Sequence, residues 1–378
     1  IRMWGMKPLI GVRITLVSPH WQTPYSGMLP GLLAGHYRHD EIHIDLRKLC
    51  TWAGVRFVED SVMALDPSNK ILKLDSAPDI EYDVLSLDIG STPDQSIAGL
   101  AQFAQSVKPI NQFYARYHDL ILKCQQASSS KPIRISVVGG GAGGVEVVLA
   151  LAEALKKNAS HVRLSLIVRG GAPLQGYPAR YIEAAINALR NSSVQLQRHF
   201  DVVEITHSHL HSSDGKILDV DEAFFCTQAR AVTWLSEAGL ECDDRDFLHV
   251  NSYLQSLSDP DIFAAGDIAT IKSHPHAKAG VYAVRQAPVL FENLKNYLLG
   301  NALRPYTPQH GFLSLLSLGN KKAIAAKNRW SLSSRILQSS LWLWKNYIDR
   351  HFMAQFDAYP TQKMNESDSV QAQLIPLT

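Results

Sequence analysis

Apolar and polar positions follow two alternating periods along this chain. Residues 133–138 (IRISVV) are an apolar, β-branched run that predicts a buried strand, and residues 142–154 continue at once in an alanine- and leucine-rich helical pattern. Between them stand Gly139, Gly141 and Gly144 in G-x-G-x-x-G spacing. In a strand–turn–helix context the three glycines do different things. The first permits the turn, the second lets a pyrophosphate approach the backbone, and the third lets helix and strand pack closely. An anion then meets free N–H groups at the positive end of the helix. Dinucleotide binding is the expectation; a turn with only a packing role is the alternative.

The same pattern organises the flanks. Residues 12–18 alternate like a half-buried strand, ending at Ser18, where a dinucleotide fold commonly meets the adenosine ribose and commonly has an acidic residue. The preceding ten residues read as the tail of a helix and a connection, so a first strand with its own Gly-rich turn is expected upstream of Ile1. Residues 23–37, with Pro24, Gly27, Pro30, Gly31 and Gly35, read as a long structured loop, functional or merely connecting. A helix over 44–54 follows, then a strand over 55–59, short strands near 62–65 and 70–74 around a D-P-S-N turn, and a buried strand over 82–88 running into Gly90.

A helix over 111–126 and the polar tract 127–131 mark the crossing into a second domain. There, a strand over 162–168 ends in Arg169 rather than the Asp or Glu of an NAD-specific site. Two readings stand for Arg169: a partner for the extra phosphate of NADP, or a solvated arginine. A helix over 179–190 and strands near 194–196, 202–207, 217–221 and 223–227 complete an α/β unit. Period two places His207, His209 and His211 on one strand face, but a solvent-facing hairpin is the expectation and no metal is assigned. Further on, a strand over 262–264 ends in Gly266 and Asp267, a carboxylate at the end of a parallel strand where α/β sheets bind ligands, and a helix follows from Lys278 to 299.

Composition narrows the class. The 378 residues suffice for two domains with real cores, and 37 Lys+Arg against 35 Asp+Glu leave no basic footprint for nucleic acid. Cys50, Cys124, Cys226 and Cys242 lack C-x-x-C spacing, so reduced thiols in a cytoplasmic protein are expected. No apolar run reaches the roughly 18–20 residues of a membrane span.

The ordered set YSGMLPG (25–31), YDVLSLDIGSTP (82–93), VVGGGAGGVE (137–146), IFAAGD (262–267) and AGVYAVRQAPVL (279–290) resembles the FAD-dependent pyridine nucleotide-disulfide oxidoreductase family. Within it the chain is most similar to the NADH-dehydrogenase-like branch, nearest to the flavoprotein that in many bacteria precedes or is fused to selenide, water dikinase. RPYTPQ (304–309) and WLWKNYIDRHFM (342–353) extend the likeness, while Gln228 departs from the family's usual Thr-Gly-Ala. The resemblance implies an α/β fold of two nested Rossmann-like (three-layer ββα) nucleotide-binding domains plus a small C-terminal region. It implies a split FAD domain (1–130 and 246–303), an NAD(P)H domain (131–245) and a region 304–378 carrying an amphipathic helix.

It further implies that Pro24, Tyr25 and Gly90 border FAD, that Gly266 and Asp267 hold its ribityl and phosphate region, and that Ala279 and Val281 offer backbone N–H groups to the flavin ring. Lys278 assists there, and Glu146 either orients the nicotinamide amide or caps its own helix. The chemistry implied is hydride transfer from NAD(P)H to FAD and electron delivery to a quinone or another small-molecule acceptor, with no catalytic side chain assigned. The alternative is a non-catalytic nucleotide-binding scaffold or redox sensor in selenophosphate metabolism, associated with selenide, water dikinase. In the tail, Leu337, Leu341, Trp344, Ile348 and Phe352 fall on one helix face with Arg335, Lys345 and Arg350 nearby. That face suits either peripheral contact with the inner membrane or docking on its own domain or on a homodimer twin. After Tyr359 a flexible end is expected.

Overall fold

The computed structural model describes residues 1–94, 96–108, 110–127, 130–227 and 229–359, so Gln228, part of the tract 127–131 and the tail beyond Tyr359 lie outside the described residues. The Gly-rich unit is a five-stranded parallel sheet in the order Gln105–Ser106, Glu222–Phe225, Ile133–Val138, Val162–Ile167, Gln195–Gln197. Its strands are apolar on both faces because both faces are covered. Ile135, Val137, Leu166 and Phe224 pack against the helices Ile110–Gln126, Ala142–Ala154 and Ala179–Asn191. Val138, Ile167, Ala223 and Phe225 pack instead against a three-stranded antiparallel sheet, Val202–Ile205, His209–Ser212 and Ile217–Asp219. Helix, parallel sheet and antiparallel sheet make the three layers the resemblance implied.

The second unit is assembled from distant segments. Thr15–Ser18 runs parallel to Arg56–Glu59, and Leu85–Leu87 runs parallel to Ile262–Ala264. Among the described residues these remain separate two-stranded sheets. The helix Leu46–Ala53 starts where Asp45 accepts from the Lys48 amide and stops at Gly54, which takes the left-handed conformation that a C-terminal cap needs. The long helix Gly280–Leu298 carries Pro288 in its interior. Two crossings tie the units together: Thr92–Pro93 pairs antiparallel with Ala229–Arg230. Arg230 Nη1 then donates to Asp246 Oδ2 at 2.8 Å.

Three expectations change. The segment 23–37 is no open loop: it folds into a strand Gln22–Pro24, a 3-10 turn Ser26–Met28 and a helix Leu29–Leu33 whose residues are all buried. Pro30 at the helix start and the close seat of Gly31 under the Tyr37 ring allow it to lie flat on the helix Ala142–Ala154. His207 falls in the turn before the strand His209–Ser212, so only His209 and His211 share the strand, their rings 6.2 Å apart. The third change concerns the C-terminal region, where an antiparallel sheet, Ser314–Ser317, Ala323–Lys327 and Trp330–Leu332, had no predictor. Its central strand AIAAK reads as helix by composition, yet four of its five residues are buried in sheet register.

The helix Gln338–Met353 lies on that sheet with a different face inward from the one its spacing suggested. Leu341, Phe352 and Met353 are covered, but so are Lys345 and Asp349. Leu337, Trp344 and Ile348 turn outward beside Ile336 (88% exposed), Leu343 (60%) and Tyr347 (66%). Lys345 Nζ donates to Asp349 Oδ2 one turn on at 2.7 Å, so each of the two inward-facing charges has a partner. Arg350 is not a free flanking cation either: its Nη1 donates to Glu41 Oε1 at 2.7 Å.

Candidate nucleotide-binding cleft

Each predicted glycine occupies a distinct environment. Gly139 has φ +126°, and a Cβ there would overlap the Cys226 carbonyl. Gly144 lies so close to Gly139 O that a Cβ would collide with it, which seats helix on strand. Around Gly141, the N-terminal cap of the helix Ala142–Ala154, and around Gly143 there is open space, and no side chain caps the helix. These N–H groups await an acceptor. Beside the turn, at the end of Glu222–Phe225, the Thr227 hydroxyl is buried without a partner among the described residues. A buried hydroxyl without a bond is costly. It marks a place for a polar ligand, and a pyridine dinucleotide fits the turn, the free helix start and this hydroxyl together. Arg169 stands exposed at the end of Val162–Ile167.

Glu146 does not cap its own helix. Its Oε1 accepts from the Ser317 amide of the C-terminal sheet at 2.8 Å. Burial pushes its pKa up to about 7, against the pull of Lys345 and of that amide.

The second cluster gathers at the ends of the parallel pair Leu85–Leu87 and Ile262–Ala264. Gly266 (φ +73°) donates its N–H to Gln286 Oε1 at 2.7 Å, and a Cβ there would overlap Asp88 Oδ1. Asp267 Oδ2 accepts from Ser91 Oγ at 3.0 Å and from Lys108 Nζ at 3.1 Å. Protein atoms around the Asp88 carboxyl and repulsion from the Asp267 carboxylate hold its pKa up at about 6, although the residue as a whole is exposed. Gly90 (φ +71°) faces open space. The helix Gly280–Leu298 starts at Ala279 with no side-chain cap, leaving the first-turn amides near Val281 available, and Ala283 of its first turn lies against the Gly266 turn. Space that only glycine tolerates, a carboxylate and a free helix start fit the ribityl and flavin end of FAD.

The remaining predicted positions sit less simply. Ser18 Oγ donates to His20 O at 3.0 Å, so its hydroxyl is engaged within its own turn. Pro24 lies in a strand paired with His43–Asp45. The Tyr25 ring lies tilted against Phe352, centroids 4.6 Å apart, and burial with Asp349 raises its pKa to about 12. Lys278 is anchored inward, donating to Ala269 O at 2.8 Å and Thr270 Oγ1 at 2.9 Å beneath the Phe247 ring. Burial lowers its pKa to about 8.

Lys108 links the two clusters. The strand Gln105–Ser106 runs parallel to Glu222–Phe225, so two residues later Lys108 emerges at the same sheet end as Cys226 and Thr227, and there it binds Asp267. Sequence reasoning missed Asp88, Lys108 and Gln286 in this role, and a two-residue strand leaves no periodic signal that locates Lys108. All four thiols are free, and burial lifts Cys226 to about 12 and Cys124 and Cys242 to about 11.

The chain is similar to several known proteins. "Probable NADH dehydrogenase" of Dictyostelium discoideum is 21% identical over 352 residues, 85% of this chain and 78% of that one. "Type II NADH:quinone oxidoreductase" of Haemophilus influenzae is 27% identical over 221 residues, 51% of this chain and 50% of that one. Among solved structures, NDH2 from Plasmodium falciparum in complex with NADH superposes with a TM-score of 0.78 at 16% identity, covering 93% of this chain and 95% of that one. The sulfide:quinone oxidoreductase of Aquifex aeolicus gives 0.76 at 16% identity, covering 92% and 86%. The family profile described as pyridine nucleotide-disulphide oxidoreductase matches residues 6–287. The chain therefore belongs to the pyridine nucleotide-disulphide oxidoreductase family, whose cofactors are FAD and NAD(P)H, and is an NAD(P)H dehydrogenase-like oxidoreductase.

Proposed function

We propose that this chain transfers electrons from NAD(P)H through FAD to a quinone. The observation that carries the reading is that Lys108, leaving the sheet at the end that bears the Gly139 turn, binds Asp267. FAD, when bound, supplies the hydride acceptor and the electron donor to the second substrate. The chain's own residues bind and orient. Residues 1–130 and 246–303 hold FAD, with Asp267 on the ribityl hydroxyls and the amides of the helix Gly280–Leu298 favouring negative charge on the ring. Residues 131–245 hold the nucleotide, with its pyrophosphate on the Gly139–Gly144 turn and Glu146 toward the nicotinamide amide.

Quinone is supported by the names of two relatives, the Haemophilus influenzae protein above and "Demethylphylloquinone reductase NdbB" of Synechocystis, 25% identical over 262 residues. A lipid-soluble acceptor also suits the outward apolar face of the C-terminal region (304–378), which we place on the headgroup surface of the inner membrane, facing the cytoplasm. Among the described residues no helix is long and apolar enough to cross a membrane. Association with selenide, water dikinase rests on sequence resemblance alone, and a homodimer on the apolar face of the tail helix.

Anaerobic titration with NADH and with NADPH, followed by reoxidation with a short-chain quinone, tests the reading. Bleaching of a yellow protein and its recovery on quinone addition are expected. A colourless protein that takes up no added FAD refutes it and supports the scaffold in selenophosphate metabolism.

A further inference from the structure

Gln286 is fully buried on the helix Gly280–Leu298, and the groups on either side of its carboxamide fix its orientation. A backbone N–H can only donate, so the atom that Gly266 N–H meets at 2.7 Å is Oε1 and the other arm is the NH2 group. That arm lies 3.3 Å from His276 Nε2. An NH2 group can only donate as well, so His276 Nε2 accepts and carries no proton. The imidazole proton is therefore on Nδ1, which donates to Ala277 O at 3.0 Å. Tyr282, one turn before Gln286 on the same helix face, stacks on the imidazole with centroids 4.1 Å and planes 12° apart. Phe312 meets the Tyr282 ring edge-on at 5.9 Å, so the ring that aims Nε2 at the carboxamide is itself held.

We propose that His276 is a proton-sensitive positioning residue for the Gly266–Asp267 turn: its bare Nε2 holds Gln286, Gln286 holds the Gly266 amide, and protonation of the ring releases both. Its bearing on flavin rests on the functional reading above. A protonated ring sets N–H against NH2 and leaves a buried donor without an acceptor, a loss of about tenfold in any equilibrium that the bond controls. The charged groups acting on the ring are Lys278, two residues on, and Asp267 of the turn itself, with Tyr282 as the ionisable group stacked on it. Burial keeps the His276 pKa below the ordinary imidazole value, the Ala277 carbonyl and Asp267 opposing and Lys278 assisting. The hold on the turn is therefore full above about pH 6.5 and is lost as pH falls below it. Asp88, whose Oδ1 lies where a Gly266 Cβ would fall, titrates at about 6, so a non-titrating variant of His276 is needed to separate the two.

Long-range nitrogen–proton NMR spectra of the full chain read the tautomer directly, with His276→Gln removing the signal and so assigning it. An Nδ1–H ring is expected at about pH 7.5, and an Nε2–H ring overturns the proposal. At the same pH, His276→Leu should speed hydrogen exchange of the Gly266 amide about tenfold. His276→Gln places a carboxamide oxygen where Nε2 was, an acceptor that does not titrate, and should keep the rate within about twofold of wild type. Equal rates in all three proteins overturn the proposal, and so does His276→Gln exchanging as fast as His276→Leu. FAD binding, followed by quenching of flavin fluorescence, should weaken between about pH 7.5 and 5.5 by about tenfold more in wild type than in His276→Gln, since the share due to Asp88 is common to both. Identical pH profiles overturn the proposal. Failure of wild type to bind FAD at either pH refutes the functional reading instead, and the tautomer and the exchange rates still decide the role of His276.

Discussion

The two candidate cofactor clusters are built in opposite ways. The Gly139 turn is local: the six consecutive residues 139–144, from the end of one strand into the first turn of one helix, create the bend, the open helix start and the close packing. The Asp267 site is dispersed, drawing Asp88, Ser91, Lys108, Gly266 and Gln286 from four separated stretches. A local site tolerates little change in backbone shape but depends on few partners. A dispersed one depends on the fold that collects it.

Gly144→Val attacks the local half most directly. Its Cβ would collide with Gly139 O, so we expect a loss of about 3 kcal/mol in chemical denaturation and of nucleotide-driven flavin reduction. Retained stability would mean that the two halves differ little in their tolerance of backbone change. Gly266→Ala strikes the dispersed half through a single residue. Positive φ and the overlap with Asp88 predict about 2 kcal/mol of destabilisation and loss of flavin on gel filtration, with the Gly139 turn unaffected.

Lys108→Met separates binding from folding. Lys108 is half exposed, so stability should change by less than about 0.5 kcal/mol while bound flavin absorbance falls. Equal flavin retention would show that Asp267 needs no cation.

Acidity distinguishes the halves more gently. Asp88 is raised to about 6 and Glu146 to about 7, so the folded protein holds both protons more tightly than the unfolded chain does. Their contribution to stability is therefore full below about pH 4 and disappears as pH rises through about 6 and then about 7. Glu146→Gln should flatten the upper part of that profile in urea midpoints, leaving the lower part to Asp88. The smallest effect is expected of Thr227→Val. Removing an unbonded buried hydroxyl leaves stability unchanged or slightly higher, and weakens NADH binding about fivefold in fluorescence titration, the equivalent of one neutral hydrogen bond.

Legibility followed the same division. The strand Ile133–Val138, its glycines and the helix after them could be read in order, because each residue acts on its immediate neighbours. Gly266 and Asp267 were readable as a strand end, but Lys108 and Gln286 were not, since nothing near them in the chain records their partners. The tail shows the opposite error. Its apolar period was real, yet the helix turned Lys345 and Asp349 inward and left Leu343, Trp344 and Tyr347 outside.

By itself the amino-acid order determined the strand Ile133–Val138, the helix after it, the nucleotide turn and the α/β class, because hydrophobic period and glycine conformation act over a few residues. Only the tertiary structure decided which charges meet. It brought Lys108 to Asp267, Ser317 to Glu146 and Lys345 to Gly27, because burial removes water as a partner and forces each polar group to find another wherever the fold has placed one.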